Sequence, residues 1–225
     1  YFPGYQEVAD AAVTEKFSQA WGLELSQTPG LRLDQMLDGM HDDSVKALFV
    51  MGEDPVLSEP NAEHVHVGFK KLDVLISQDI FLNETARLYA DVVFPATCFA
   101  EKEGTFTNSE RRVQRARKAV DAPGQARPDI QILFDLAKQL GHDWGEAQPS
   151  KVWDEFARLS PQFSGINYER IEDEGIQWPC PDVSHPGTKI LHEGAPIRGK
   201  GKLYPLDHIK PWEEADEEYP LTLSK

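Results

Sequence analysis

Apolar residues recur along this chain in two rhythms, and the change between them marks the elements. From 7 to 22, Val8, Ala11, Ala12, Phe17 and Trp21 fall at helical spacing. Thr28-Pro29-Gly30 breaks that stripe, and Leu33, Met36, Leu37 and Met40 then mark a short amphipathic helix. Both stripes read as core faces. Asp42-Asp43-Ser44 predicts a turn, and Ala47 to Met51 is a uniform apolar run closed by Gly52. Such a run predicts a strand buried on both faces of a parallel sheet. A helix with Phe69 and Leu72 facing inward should follow. A second run, Val74-Leu75-Ile76, ends on Gln78-Asp79, and a helix-like segment leads to a third, Val92-Val93-Phe94. Three apolar runs joined by helical crossovers predict a small parallel sheet with right-handed connections. Its polar tips would lie at the carboxyl ends of the strands, where open α/β sheets hold ligands.

After Pro95 the character changes. Residues 101–118 are charged, with Lys102, Arg111, Arg112, Arg115, Arg117 and Lys118 close together. Ala122-Pro123-Gly124 ends the segment. Pro128 to Leu140 reads as a helix, with Pro128 near its start, Gly141 past its end, and Ile130, Leu133, Phe134, Ala137 and Leu140 on its apolar face. Ser150 is expected to cap a further helix that buries Trp153, Phe156 and Leu159. From Gln162 onward, scattered Gly, Pro and aromatic residues predict irregular structure with short strands. The acidic run at 213–218 reads as a solvated turn. The fold class is therefore α/β: a partial doubly wound parallel sheet with flanking helices, then a mixed, partly irregular region. The expected divisions are a helical segment at 1–41, the parallel βαβ part at 42–97 and a mixed shell at 98–225.

Composition narrows the function classes. A chain of 225 residues suits one large domain or two small ones. A net charge of −15 argues against a nucleic-acid binder, which needs excess Lys and Arg for phosphates. Two cysteines make no disulfide framework, which points to a reducing compartment and a cytoplasmic location. No run of about 18 apolar residues predicts a membrane helix. No signal peptide is visible, and the chain opens on Tyr1, so an upstream portion is expected. No Cys/His cluster has zinc or iron–sulfur spacing. His64 and His66 would diverge on a helix, and Cys98 reads as a core residue. Residues 194–201 nearly match a phosphate loop, but Gly201 stands where Ser or Thr is required and no helix follows.

The candidate chemistry sits at the strand tips. Gly52 lets a ligand approach the backbone, and the Asp54 carboxylate can accept hydrogen bonds from an amide-and-amine edge such as guanine's. The same residues also suit a plain turn. Gln78 and Asp79 end the neighbouring strand and would converge on the same crevice. Ser58 can bond a phosphate or cap the following helix. Lys102 and the nearby arginines offer cations for a pyrophosphate, or simply form a solvated face. Asp129 lies in the first turn of its helix, where an acid suits the macrodipole.

The order QDIF, NETA, ADVVFPA and EKEGTFTNSERRVQ resembles the molybdopterin oxidoreductases that carry a bis(molybdopterin guanine dinucleotide) cofactor. YFPGYQ, ALFVMGEDP, GIQWPCPD and EEYPLTLS narrow the resemblance to formate dehydrogenase large subunits. Each motif alone is weak, but their order and spacing are specific. The resemblance implies that Asp54, Gln78, Asp79, Lys102 and Asp129 contact the dinucleotide, with Ser58 a further polar contact beside Gly52. It implies molybdenum or tungsten, two-electron oxidation of formate to carbon dioxide, and electron-transfer subunits or domains as partners. The family's catalytic Cys or selenocysteine, His and Arg, and its amino-terminal iron–sulfur segment, precede the stretch that matches, so no catalytic residue is assigned here. The chain then reads as an internal piece that ends before the family's carboxy-terminal cap. It is expected to be inactive alone and to self-associate through exposed edges. Two alternatives stay open: a relative acting on another substrate, nitrate reductase-like or of the complex I type, and a non-catalytic assembly module.

Overall fold

The computed structural model describes residues 1–193, 199–210 and 214–222. These divide into two compact units, Tyr1–Lys189 and Ile190–Lys225. The phosphate-loop-like stretch and the first residue of the acidic run lie, in whole or part, outside the described residues. In the second unit Asp216 accepts the backbone N–H of Glu218 (2.9 Å) and Tyr219 (2.6 Å), a local turn.

The first unit opens with α1 (Ala11–Trp21), whose N-cap Asp10 accepts from the N–H groups of Ala12 and Val13. Phe17 is buried beneath it, stacked on Phe2 with ring centroids 4.6 Å apart. α2 (Leu33–Gly39) follows. Then come β1 (Ala47–Met51), α3 (Pro55–Ser58), α4 (Ala62–Phe69), β2 (Val74–Asp79), α5 (Glu84–Tyr89) and β3 (Val92–Pro95). The strands pair in parallel in the order β1-β2-β3, with Phe49 opposite Ile76 and Ile76 opposite Val92. The expected parallel sheet is therefore present.

Crossovers of one hand, taken in one direction, leave their helices on one face of the sheet. That face carries the core: Leu37, Met40, Val50, Val56, Val65, Phe69 and Leu75. Gly68 lets α4 approach the end of α2, because a Cβ there would meet Met40 Cε at 2.8 Å. The opposite face is left open at β1, which corrects the expectation for Ala47–Met51. Phe49 is 38% exposed and Met51 49%. β1 is an edge strand, and only Val50 of its five residues is buried.

Beyond β3 a second, antiparallel sheet forms from β4 (Gly104–Thr107), β5 (Arg112–Ala116) and β6 (Ile176–Gln177). α6 (Asp129–Gln139) and α7 (Pro149–Leu159) lie between β5 and β6 in sequence. Val113, Trp153, Ala157, Phe163, Ile166, Ile171 and Cys180 make its core. Two details differ from expectation. Gln148 occupies the N-cap of α7 and Pro149 its first turn, so Ser150 is inside the helix. Leu140 is 71% exposed just past the end of α6, while Ile132 is buried in its place. The helix stops one residue before Leu140, so that side chain leaves the apolar face.

Candidate functional site

The carboxyl end of the parallel sheet gathers residues far apart in sequence. Ala96, past the end of β3, takes a hydrogen bond path to both sides: its N–H donates to Asp79 O (2.9 Å), and it bridges Arg127 in parallel. Arg127 N–H donates to Pro95 O (3.1 Å), which places the start of α6 beside the strand tips. Lys102 follows a short turn, Phe99–Glu101, that Glu101 closes by accepting the Cys98 N–H (2.9 Å). Cys98 itself is half-buried.

Three of the sequence candidates meet there. Gln78 Nε2 donates to Asp129 Oδ1 (2.9 Å), and Lys102 Nζ forms an ion pair with Asp129 Oδ2. A carboxylate only accepts, so the Gln78 amide must face it with its nitrogen. That leaves Gln78 Oε1 enclosed with no partner, in a residue 1% exposed. Ser77 Oγ and Thr97 Oγ1, near the same end of the sheet, are also buried and unpaired. An unpaired buried polar group costs about 1–3 kcal/mol, and native folds leave few of them. Burial pushes the Asp129 carboxyl up, but the bonds from Lys102 and Gln78 and the Lys102 charge outweigh it and hold the carboxyl below its ordinary range.

Lys102 and Asp129 also form the polar end of a mostly apolar cavity of about 450 Å³, walled by Phe106, Trp153, Phe156 and Tyr168. Its size falls within the range of small-molecule sites. The sequence reading missed this wall. Its members come from β4, α7 and a later loop, and no spacing connects them.

The other candidates are placed differently. Asp54 Oδ1 accepts from Thr85 N (3.1 Å) and Thr85 Oγ1 (2.6 Å), and Asp54 Oδ2 from Glu84 N (3.2 Å). It therefore ties the tip of β1 to the start of α5. Asp79 Oδ1 accepts from Ile80 N (2.6 Å) and Phe81 N (3.2 Å), and Oδ2 from Asn83 Nδ2 (3.0 Å). Asp79 shapes its own tip through residues 80–83, whereas Asp54 reaches across to α5. Asn83 in turn caps α5 by accepting Ala86 N–H (2.8 Å). The Asn-Glu-Thr order was the available signal for that cap. Ser58 is exposed at the end of α3, and Asn61, not Ser58, caps α4. Gly52 has φ +67° with open space where a side chain would project, and its N–H donates to Gln78 O (2.9 Å).

The arginines of the charged run find partners within the chain. Arg111 donates to the carbonyls of Trp178 and Thr188, and Arg112 to that of Gly175. Arg115 pairs with Glu103 and Glu172, and Arg117 with Glu172. These side chains knit the antiparallel sheet to the 172–188 loop. Of the cations from 102 to 118, Lys102 is the one that meets Gln78 and Asp129. Elsewhere, His64 pairs with Asp38 (3.1 Å) and stacks on His41, while His66 bonds Tyr89 (2.5 Å). No group of three metal-ligating side chains occurs among the described residues. No helix among them is long and apolar enough to cross a membrane.

A parallel sheet with polar groups converging at its carboxyl edge is the architecture on which α/β proteins seat dinucleotide-type cofactors. The family model for molybdopterin oxidoreductase matches residues 7–139, more than half of the chain, and the chain belongs to that family. It is 44% identical, over 99% of its length, to the F420-dependent formate dehydrogenase subunit alpha of Methanocaldococcus jannaschii. It is 46% identical, over 99% of its length, to the F420-dependent formate dehydrogenase 2 subunit alpha of Methanococcus maripaludis. The chain spans 33% of the length of each of these curated relatives. Among solved structures it is similar in fold to acetylene hydratase from Pelobacter acetylenicus, with a TM-score of 0.51 and 19% identity over 77% of this chain and 24% of that one.

Proposed function

We propose that this chain supplies part of the bis(molybdopterin guanine dinucleotide) site in the catalytic subunit of a molybdenum or tungsten formate dehydrogenase. The observation that carries the reading is the meeting of Gln78, Lys102 and Asp129 at the carboxyl edge of the parallel sheet, with the Gln78 oxygen buried and unpaired. The residues fit the group. A guanine or pterin edge brings N–H donors for buried acceptors, and a diphosphate needs a cation such as Lys102. When bound, the cofactor supplies the two-electron chemistry by which formate becomes carbon dioxide. This chain's residues bind and orient it. Asp54 and Asp79 hold the strand tips in shape, Gly52 keeps the backbone open to approach, and Ser58 stands at the rim. In this reading the metal ligand, the iron–sulfur cluster and the electron-transfer partners belong to other parts of a cytoplasmic enzyme.

Calorimetric titration of the 225-residue chain with guanosine diphosphate tests this. Saturable binding that weakens in Lys102→Met supports the reading. Equal heats for both proteins would count against it. Formate turnover by the longer parent enzyme separates formate from other family substrates.

A further inference from the structure

Asp129 carries one partner on each oxygen: the Gln78 amide on Oδ1 and the Lys102 ammonium on Oδ2. The two partners differ in freedom. Gln78 stands on a strand paired on both sides and is 1% exposed. Lys102 reaches the carboxylate on a flexible four-carbon stem, and its side chain is 23% exposed. The carboxylate therefore fixes which end of the Gln78 amide is left over. The leftover end is an acceptor, closed from solvent and unpaired. A group in that state is satisfied only by a donor. Lys102, on the other oxygen of the same carboxylate, is the more mobile of the two partners.

Resting on the cofactor reading above, we propose that Asp129 is a positioning residue. It turns the Gln78 carbonyl oxygen toward an N–H of the bound guanine or pterin ring, and it parks the Lys102 ammonium until a diphosphate draws it away. Asp129 then acts through Gln78 and Lys102 and is not itself the reader of the ring. The ligand selected is a fused heterocycle with an amide N–H and an amine on one edge, linked to a diphosphate.

Two probes decide between positioning and direct reading. Xanthosine diphosphate replaces the 2-amino donor of guanosine diphosphate with an acceptor. A carboxylate that reads guanine directly should, when changed to an amide, gain xanthine. A positioning carboxylate should do so only through Gln78, whose amide can flip once Asn faces it. The expected result for Asp129→Asn is a loss of guanosine diphosphate affinity of about tenfold, with any gain for xanthosine diphosphate abolished when Gln78→Leu is added. A gain for xanthosine diphosphate that survives Gln78→Leu overturns the positioning role while leaving the cofactor reading intact. Lys102→Met should weaken guanosine diphosphate but leave guanosine unchanged; equal weakening of both overturns the parked-cation half of the proposal.

The ligand-free chain gives an independent test. In nitrogen-15 spectra, the Gln78 side-chain amide should shift with pH as Asp129 titrates, persist in Lys102→Met and lose its shift in Asp129→Asn. An amide insensitive to both pH and Asp129→Asn overturns the pinning. If the wild-type chain binds no guanosine diphosphate, the cofactor reading falls, and this spectrum still decides whether Asp129 pins Gln78.

Discussion

Three acids, Asp54, Asp79 and Asp129, stand at or beside strand tips, and their surroundings separate them. Asp79 accepts from the residues that follow it, Ile80, Phe81 and Asn83, and Asp54 accepts from Glu84 and Thr85 at the start of α5. Asp129 accepts from a glutamine 51 positions away and a lysine 27 away. The sequence shows that a carboxylate sits at a turn. It does not show which N–H groups consume its lone pairs, because that depends on chain positions set by tertiary packing. The Asp129 pairing has a pH consequence. Its folded pKa lies below the ordinary value, near 3.9 in an unfolded chain. Its contribution to stability is therefore full above about pH 4 and lost as the pH falls through the folded value. Urea unfolding should find the wild type more stable than Asp129→Asn near neutral pH and the two converging as the pH falls below the ordinary carboxylate range. A gap that stays constant with pH would show that the ionised carboxylate is not the source.

At the scale of elements, the joint between α3 and α5 is the most exposed to test. Thr85 is fully buried; its hydroxyl donates to Asp54 Oδ1 (2.6 Å) and accepts Val56 N–H (3.2 Å). One hydroxyl thus satisfies a first-turn N–H of α3 that has no partner within its own helix and adds a bond to the Asp54 carboxylate. Thr85→Val keeps the shape but strands the Val56 N–H and removes one of the bonds to Asp54, and should destabilise by about 1–3 kcal/mol. Thr85→Ser should recover most of that loss. Denaturant midpoints decide, and a change for valine under about 0.5 kcal/mol would show that solvent replaces the bonds. The arginine run teaches a related lesson. A row of charges on a strand reads as solvated, yet its partners here are carbonyls and acids from residues 103 and 172–188. All of those partners except Glu103 come from the 172–188 segment, which has no periodic signal.

At the scale of the whole molecule, the parallel sheet is covered on one face and, on the other, around Gln78 only. Phe49, Met51, Val74 and Val92 lie on its other side and are 38–49% exposed. An apolar face of this kind promotes association. The double substitution Phe49→Lys and Met51→Glu should lower concentration-dependent self-association in sedimentation, with little change in unfolding midpoint. Unchanged sedimentation would place the association elsewhere. The exposure follows from connectivity. β1, β2 and β3 run in sequence order, so their crossovers stack on one face, and no local pattern in a strand states whether its second face will be covered. By itself the sequence determined the three parallel strands, their helical crossovers and the polar residues at their tips, because period and turn chemistry act over a few residues. Tertiary structure alone decided that Gln78 and Lys102 share the Asp129 carboxylate, that the other two tip acids both hold the start of α5, and that an aromatic wall lies beside the ion pair. Those outcomes depend on how segments tens of residues apart are brought together, and only the packed chain sets that.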